Sequence, residues 1–261
     1  MKIALIQHDI TWADPTTNIH RVNEAINKNP GADIYIMPEM FTTGFIINPQ
    51  NIAEPVDSPS LHWMQDKASE INAALAGSIA IEENGRYYNR FFFVTPDRNV
   101  TTYDKSHLFK YGGEGVHFTA GTQRVITEFR GVRILLEICY DLRFPMWCRN
   151  QIDQGGKALY DLIIYVAEWP ESRRLAWEVF TRSRAIENQC YVAAVNRVGS
   201  DDWGKYFGGS VLIHPYGHPI AQCDDYIENE AIGEIDMPQL IRYRDKFPVL
   251  SDIIWSTDAT N

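Results

Sequence analysis

Three residues that could carry out chemistry stand at the ends of strand-like apolar runs. Glu39 follows DIYIMP, Lys105 follows VTTYD, and Cys139 follows ILLEI. Because open α/β sheets place their sites at strand ends, we expect these side chains to meet. A carboxylate can take the proton of a thiol, the thiolate can attack a carbonyl carbon, and an ammonium can offset charge on the carbonyl oxygen. Together the three residue types indicate acyl transfer through a thiol.

Each of the three residues also has an ordinary structural interpretation. A glutamate at a strand end commonly forms a salt bridge, a lysine in a turn such as YDKSH commonly lies on the surface, and a lone cysteine is commonly a small core residue. Cys139 differs because the apolar run gives way here to Tyr140, Asp141 and Arg143. We expect Asp141 and Arg143 to buttress this turn. We interpret the remaining cysteines as packing residues: Cys148, Cys190 and Cys223.

The elements that must position these residues alternate in type along the chain. Helices are predicted at DPTTNIHRVNEAINK, with Asp14 as the N-cap, and at SPSLHWMQDKASEINA. Hairpins are predicted across Asp97–Asn99 and across Arg130–Gly131. Helices that separate strands in both halves predict an α/β fold of two sheets sandwiched by helices, in one domain over residues 1–261. Further strands are predicted at KIALIQ, DIYIMPE, ALAGSIAI, DLIIYVA, YVAAVNRVG, GSVLIHP, PIAQC and AIGEID.

Two more helices are predicted in the second half of the chain. The first is short and runs from Phe144 to Asp153. Its apolar Phe144, Met146 and Trp147 indicate a contact with another protein, such as a second copy of the chain. The second covers SRRLAWEVFTRSRAIENQ, and the helical period places five of its residues on one face. These are Ala176, Val179, Phe180, Ser183 and Ile186.

Composition excludes several classes of protein. The chain has 261 residues, 45% of them hydrophobic, and no apolar run reaches the ~18 residues typical of a membrane-spanning helix. A formal charge of −10 argues against nucleic acid or an anionic membrane surface as partner. The N-terminal MKIALIQHDI is too short and polar for a signal peptide, so we expect a cytoplasmic protein with reduced cysteines. Without a CxxC or HExxH pattern, we do not expect a metal enzyme.

Several segments taken together resemble one enzyme family. MPEMFTTGF, YDKSHLF and EICYDLRFP, in that order, are similar to the Glu–Lys–Cys signature of the nitrilase (carbon–nitrogen hydrolase) superfamily. GGEGVHFTAG, AEWPESR, RSRAIENQCYVAAVNRVG and FGGSVLIHPYG extend the resemblance over roughly residues 3 to 220. Within the superfamily the chain most resembles the omega-amidase branch, whose members hydrolyse 2-oxoglutaramate and related ω-amides.

The resemblance implies a role for each matching residue. Glu39 matches the general base, Lys105 the oxyanion-stabilising lysine, and Cys139 the nucleophile. Glu114 matches a second glutamate that orients the catalytic groups, and the backbone N–H of Tyr140 would complete the oxyanion hole. The implied fold is a four-layer α-β-β-α sandwich, and the implied assembly is a homodimer. No cofactor is implied.

The segment AEWP departs from the family pattern, which has ANWP. Glu168 therefore replaces a neutral amide, and we expect it either to repel an acidic substrate or to pair with Arg173 or Arg143. Arg173 and Arg143 are also the candidates for holding a substrate carboxylate. We expect Phe41, Phe45 and Trp169 to wall the pocket, with plain core packing as the alternative for each.

Three functions remain in competition at the level of sequence. The first is a thiol amidase acting on small ω-amides of oxo acids. The second keeps this chemistry and changes the substrate to deaminated glutathione, a carbamoyl amine or another small amide. The third is a binding or scaffold protein that retains the fold; its mark would be a missing member of the Glu–Lys–Cys set, and none is missing.

Overall fold

Five α-helices lie in the part of the chain that the computed structural model describes, residues 1–253. Local sequence determines where three of these helices begin. Asp14, Ser58 and Asp236 each accept a hydrogen bond from the backbone N–H three residues further on, and a proline follows each of them in the first turn. The N-cap predicted at Asp14 is confirmed. The helices are α1 (Pro15–Lys28), α2 (Pro59–Ile71), α3 (Glu114–His117), α4 (Arg174–Asn188) and α5 (Met237–Lys246).

Fifteen strands are described in the same part of the chain. The first eight are β1 (Lys2–Gln7), β2 (Ile34–Ile36), β3 (Glu54–Pro55), β4 (Ala74–Glu83), β5 (Arg86–Val94), β6 (Val100–Asp104), β7 (Ile126–Phe129) and β8 (Val132–Ile138). The others are β9 (Leu162–Ala167), β10 (Tyr191–Asn196), β11 (Val198–Asp201), β12 (Gly204–Phe207), β13 (Val211–Ile213), β14 (Pro219–Gln222) and β15 (Asn229–Glu234).

The strands form two large sheets and one small one. The first sheet has the order β15-β1-β2-β4-β5-β6 with β3 beside β4, and the second has the order β14-β13-β10-β9-β8-β7. β11 and β12 form a separate two-stranded hairpin. The predicted hairpins across Asp97–Asn99 and Arg130–Gly131 are confirmed, because β5 pairs with β6 and β7 pairs with β8, both antiparallel.

Apolar side chains join these elements into layers. Leu5 of the first sheet and Ile134 of the second belong to one core between the two sheets. On the outer face of the first sheet, α1 and α2 cover a second core that includes Val22. On the outer face of the second sheet, α4 covers a third core that includes Trp177. The four-layer α-β-β-α sandwich is confirmed.

Strand direction brings the candidate residues to one edge of the sandwich. In the first sheet β2, β4 and β6 run the same way, and in the second β8, β9 and β10 are parallel. Lys105 directly follows β6, Cys139 directly follows β8, and Glu168 directly follows β9. Glu39 lies three residues beyond the end of β2. The carboxyl ends of these strands therefore carry the candidate chemistry.

The short helix predicted from Phe144 to Asp153 is wrong. A 3-10 helix, Cys139–Arg143, follows β8 instead and is succeeded by turns. Pro145 disfavours a helical backbone at the residue before it. Further along, the backbone N–H of Asn150 donates to the side chain of Asn188 at 2.9 Å and not to a helix carbonyl.

The apolar face predicted for α4 is not its buried face. Val179 and Ile186 are 47% and 51% exposed. Polar side chains lie on the buried face of α4 because they donate hydrogen bonds there. Trp177 and Arg184 donate to the backbone carbonyl groups of Gly209 and Leu142 at 2.9 Å and 2.6 Å. The buried face consists of Trp177, Thr181, Arg184, Ala185 and Asn188.

Four elements were not predicted from the sequence pattern, namely α3, α5, β3 and the β11–β12 hairpin. None of the helices within residues 1–253 is long and apolar enough to cross a membrane. The predicted single domain extends over residues 1–261, of which residues 254–261 lie outside the described part.

Candidate active site

A pocket of about 360 Å³ opens at the edge where the carboxyl ends of β6, β8 and β9 meet. The loops after these strands supply most of its lining, and the aromatic residues among them make its walls largely apolar. Its titratable lining includes six residues named from the sequence: Glu39, Lys105, Cys139, Arg143, Glu168 and Arg173.

Glu39, Lys105 and Glu114 form a charge cluster with no exposed surface. Lys105 Nζ donates to Glu39 Oε1 at 2.8 Å and to Glu114 Oε2 at 2.9 Å. Asn89 Nδ2 donates to the same two carboxylates at 2.7 Å and 3.2 Å. The backbone N–H of Phe109 donates to Glu114 Oε2 at 2.6 Å. Glu114 thus holds Lys105 from behind while Glu39 and Lys105 reach the pocket.

The protonation of the cluster follows from burial and pairing. Burial by itself lowers the pKa of Lys105, but the Glu114 and Glu39 carboxylates raise it above its ordinary value. Lys105 is therefore an ammonium at neutral pH. Burial raises the pKa of Glu114, and Lys105 offsets part of that rise. The two carboxyl groups hold the Lys105 ammonium between them, which keeps it in a single position facing Cys139.

Cys139 is the first residue of the 3-10 helix and makes a sharp turn directly after β8. Its φ of 45° lies in the left-handed region, which a residue with a Cβ adopts only where its surroundings impose it. Asp141 imposes it here, because its buried carboxylate accepts hydrogen bonds from the Ile138 N–H at 3.1 Å, the Tyr103 hydroxyl at 2.8 Å and the His107 N–H at 3.0 Å. Asp141 buttresses the turn and joins it to the loop of Lys105.

The Cys139 thiol is protonated in the resting protein. Burial raises the pKa of this thiol well above its ordinary value and the Glu39 carboxylate raises it further, while Lys105 acts in the opposite direction. A neutral thiol needs a base at the moment of attack, and Glu39 is its neighbour. The N–H of Tyr140 lies in the first turn of the 3-10 helix, where N–H groups have no partner within the helix.

Glu168 pairs with neither Arg173 nor Arg143, so the pairing expected from the sequence is wrong. Its Oε2 accepts a hydrogen bond from Arg197 NH1 at 2.8 Å. Arg197 is only 1% exposed and stands 29 residues later in the chain, at the end of β10. The backbone N–H of Glu168 donates to Glu39 Oε2 at 2.9 Å. Glu168 therefore helps to orient the carboxylate beside Cys139.

The three aromatic residues predicted to wall the pocket divide into two groups. Phe45 and Trp169 line it, and the Phe45 ring centroid lies 5.4 Å from Lys105 Nζ. Phe41 does not line it: the side chain is fully buried in the core beneath α2, with its ring 6.2 Å from that of Trp63. Phe41 follows Met40, whose φ of 41° turns the chain away from the pocket side of the sheet. The prediction for Phe41 is wrong.

The guanidinium groups of Arg143 and Arg173 line the pocket without an ion-pair partner among residues 1–253. Arg143 lies 4.8 Å from the ring centroid of Trp169, and Arg173 lies 4.9 Å from that of Phe109. Stacking on aromatic rings positions both cations and leaves their N–H donors available. The pocket thus offers two sites for a carboxylate.

Several residues in or behind the pocket have no counterpart in the sequence predictions. Asn89 and Arg90 are the polar residues inside the buried stretch of β5, and Asn89 could have been suspected for that reason. Arg197 directly follows β10, as Lys105 and Cys139 directly follow their strands, so the same rule would have found it. The remaining residues carry no signal, because aromatic side chains in loops are as common in cores as in pockets: Phe109, Tyr111, Trp203 and Tyr206.

The histidines, cysteines and carboxylates are not clustered as metal ligands within residues 1–253. Within residues 1–253 no group of three or more His, Cys, Asp or Glu side chains is arranged to hold a metal ion. His214 and His218 stack on each other with ring centroids 4.5 Å apart, a geometry of packing. All four cysteines are unpaired thiols, and Cys148, Cys190 and Cys223 lie buried away from the pocket.

Fold and site together define an enzyme of the nitrilase superfamily, with a thiol, two carboxyl groups and an ammonium gathered at the edge of an α-β-β-α sandwich. The family model for carbon–nitrogen hydrolases matches residues 2–245. The chain therefore belongs to the carbon–nitrogen hydrolase family.

Two curated relatives and one solved structure refine this placement. The chain is 43% identical over 253 residues to the omega-amidase YafV of Escherichia coli K12, covering 97% of this chain and 96% of that protein. It is 32% identical over 255 residues to the 2-oxoglutaramate amidase of Bacillus subtilis, covering 96% of each. The crystal structure of XC1258 from Xanthomonas campestris, a CN-hydrolase superfamily protein with an arsenic adduct in its active site, superposes with a TM-score of 0.95 at 37% identity and 98% coverage of both chains.

Proposed function

We propose that the protein is a thiol amidase that hydrolyses the terminal amide of small 2-oxo-acid ω-amides, such as 2-oxoglutaramate, to the acid and ammonia. One observation carries the proposal: Cys139 shares its pocket with the Glu39–Lys105 pair and with the guanidinium groups of Arg143 and Arg173, which have no ion-pair partner in the described part of the chain. Cys139 and the Glu39–Lys105 pair supply the chemistry of amide hydrolysis. The two arginines suit a substrate that carries a carboxylate. The names of the two curated relatives support this substrate class.

The first half of the reaction forms a thioester. Glu39 accepts the thiol proton as Cys139 Sγ attacks the amide carbon. Glu39 Oε1 already accepts two protein hydrogen bonds and Oε2 accepts one, so Oε2 keeps a lone pair for this proton. Lys105 and the Tyr140 N–H donate to the oxyanion of the tetrahedral intermediate. Glu39 then gives its proton to the leaving nitrogen, the carbon–nitrogen bond breaks, and ammonia departs.

The second half of the reaction frees the enzyme. Water takes the place of ammonia beside Glu39, which removes one of its protons as the oxygen attacks the thioester carbon. The same two donors stabilise the second tetrahedral intermediate. The carbon–sulfur bond then breaks, the proton held by Glu39 returns to Cys139, and the carboxylic acid leaves. The residues of the chain supply every group that these steps require.

Ammonia release over a panel of amides tests the proposed substrate. The panel contains 2-oxoglutaramate, succinamate, a neutral amide of similar size, deaminated glutathione and a carbamoyl amine. We expect the highest kcat/KM for 2-oxoglutaramate. A higher kcat/KM for deaminated glutathione or for the carbamoyl amine would show that the substrate is different, while the thiol amidase chemistry would stand. No ammonia from any of them would reject the proposal and favour a scaffold role.

Arg173 gives a prediction about recognition of the substrate carboxylate. We expect Arg173→Gln to raise KM for 2-oxoglutaramate about tenfold or more, because a hydrogen bond to a charged group contributes ~1.5–3 kcal/mol. KM for the neutral amide should change much less. The matched control is Arg174→Gln, because the Arg174 guanidinium is bound by Glu178 and Asp225 outside the pocket. Equal increases in KM for the anionic and neutral amides would show that Arg173 does not bind the carboxylate.

The proposal also includes a cytoplasmic location, which the four unpaired thiols support. It further includes assembly as a homodimer. α4 places Leu175, Val179 and Ile186 on one exposed stripe, with 74%, 47% and 51% of their surfaces accessible. We expect this stripe to contact a second copy of the chain. Light scattering at micromolar concentration should then show a dimer for the wild-type protein, and Val179→Glu should shift the protein toward the monomer. A monomeric wild type would contradict the prediction.

A further inference from the structure

Glu168 has a carboxyl oxygen that the proposed mechanism leaves unused. The residue lines the pocket and is 6% exposed. Its Oε2 is held by Arg197 at 2.8 Å, whereas its Oε1 is buried without a hydrogen-bond partner among the described residues. Buried polar atoms of native proteins nearly always have a partner, so an unpartnered oxygen at the wall of a pocket points to a ligand.

The groups around Glu168 favour its neutral form. Within residues 1–253 Arg197 is the one cation that pairs with Glu168, and it is shared with Asp9 at 2.7 Å and Asp201 at 3.1 Å. Glu39 adds negative charge from the loop after β2, and the Tyr206 hydroxyl on β12 is neutral. Burial raises the pKa of Glu168 to about 8, although Arg197 acts against the rise.

The position of the acidic proton follows from the hydrogen bonds. Arg197 has only donors, so the oxygen it contacts must act as an acceptor. The proton of a neutral Glu168 therefore sits on Oε1, the oxygen without a hydrogen-bond partner among the described residues. In this form Oε1 can donate a hydrogen bond to an oxygen atom of a bound molecule. In the ionised form the same oxygen presents a negative charge to the pocket.

We propose that Glu168 determines specificity: its neutral carboxyl donates a hydrogen bond to an oxygen of the acyl part of the substrate, and its ionised form repels substrates that carry a carboxylate. The inference rests on the amidase activity proposed above. The Glu–Lys–Cys set does not distinguish an anionic amide from a neutral one. In this proposal recognition of an anionic amide depends on whether the Glu168 carboxyl is protonated. A neutral amide escapes that condition, since it carries no charge for the carboxylate to repel.

The sign of the pH dependence is fixed by the charges. Glu168 gains a negative charge as pH rises through about 8, while the carboxylate of 2-oxoglutaramate is ionised throughout and both pocket arginines stay cationic. Attraction by Arg143 and Arg173 therefore stays constant while repulsion by Glu168 grows. kcat/KM for the anionic amide should fall relative to that for a neutral amide as the solution becomes alkaline.

The test measures kcat/KM for 2-oxoglutaramate and for a neutral amide of similar size between about pH 6 and about pH 10, and follows their ratio. Titration of Cys139 and Lys105 affects both substrates and cancels in the ratio. We expect the wild-type ratio to fall on the order of tenfold or more, with a midpoint near the pKa of Glu168, because two like charges within one small pocket repel strongly. In Glu168→Gln, which cannot ionise, the ratio should stay flat.

A matched control removes a neighbouring carboxylate. Glu171 lies three residues further along the chain, accepts a hydrogen bond from the Tyr226 hydroxyl and does not line the pocket. Glu171→Gln should keep the wild-type fall of the ratio. A flat ratio in the wild type would overturn the role of Glu168 and leave the amidase proposal standing, as would an equal fall in Glu168→Gln. Absence of ammonia from both amides would instead overturn the amidase proposal, and this inference with it.

Discussion

Cys139→Ala is expected to abolish amide hydrolysis, with a loss of kcat on the order of a thousandfold or more, while the protein stays folded. In the proposed mechanism the thiol sulfur bonds to the substrate carbon, so removal of this nucleophile removes the whole covalent route. Cys139→Ser should be equally inactive, because a hydroxyl gives up its proton to Glu39 far less readily than a thiol. Ammonia release under saturating 2-oxoglutaramate measures the loss.

The fold should tolerate either substitution at Cys139. Small changes at a pocket wall usually cost little stability, so the melting temperature should stay within about 3 °C of wild type. The matched control is Cys223→Ala, which removes a thiol buried in the core between the sheets and should keep the activity of wild type. Amidase activity above a trace in Cys139→Ala would remove the covalent mechanism.

Lys105→Met should lower kcat/KM by a factor on the order of 100 or more, since one oxyanion donor contributes ~3 kcal/mol to the transition state. The substitution also leaves Glu39 and Glu114 buried without their common cation. Loss of one partner from a buried ion pair costs ~3–5 kcal/mol, so we expect Lys105→Met to be less stable than wild type. Kinetics and thermal unfolding together separate the two effects.

A double variant keeps the Lys105 prediction testable if the single variant unfolds. In Lys105→Met with Glu114→Gln, one buried carboxylate is removed along with the ammonium, so stability should recover in part while activity does not. Lys110→Met is the matched control, because Lys110 is an exposed lysine of the same loop and should behave as wild type. Activity within about twofold of wild type in the double variant would show that Lys105 does not stabilise the oxyanion.

The sequence predicts the polar centre of the pocket well for a physical reason. Lys105 and Cys139 directly follow strands, and strands of one direction deliver the residues after them to the same edge of a sheet. The types of these residues then suggest the chemistry before any distance is known. The four-layer fold is also predictable, because the alternation of helices and strands limits how the apolar faces can be covered.

Other features depend on tertiary contacts that local pattern does not contain. The partner of Glu168 is Arg197, which reaches it across two neighbouring strands, whereas Arg173 and Arg143 are nearer in sequence. Phe41 follows Glu39 by two residues yet packs in the core beneath α2 and not in the pocket, and a turn begins between them at Met40. α4 buries Arg184 and exposes Ile186, since the Arg184 guanidinium donates a hydrogen bond to the backbone carbonyl of Leu142.

Acyl transfer to hydroxylamine tests the central claim, a thioester on Cys139, most directly. Succinamate is a suitable substrate because it has the ω-amide and carboxylate without a 2-oxo group that would itself react with hydroxylamine. A thioester partitions between water and hydroxylamine, so we predict that the succinyl hydroxamate increases with hydroxylamine concentration at the expense of succinate, and that Cys139→Ala forms neither. Succinate as the sole product at every hydroxylamine concentration would contradict the account.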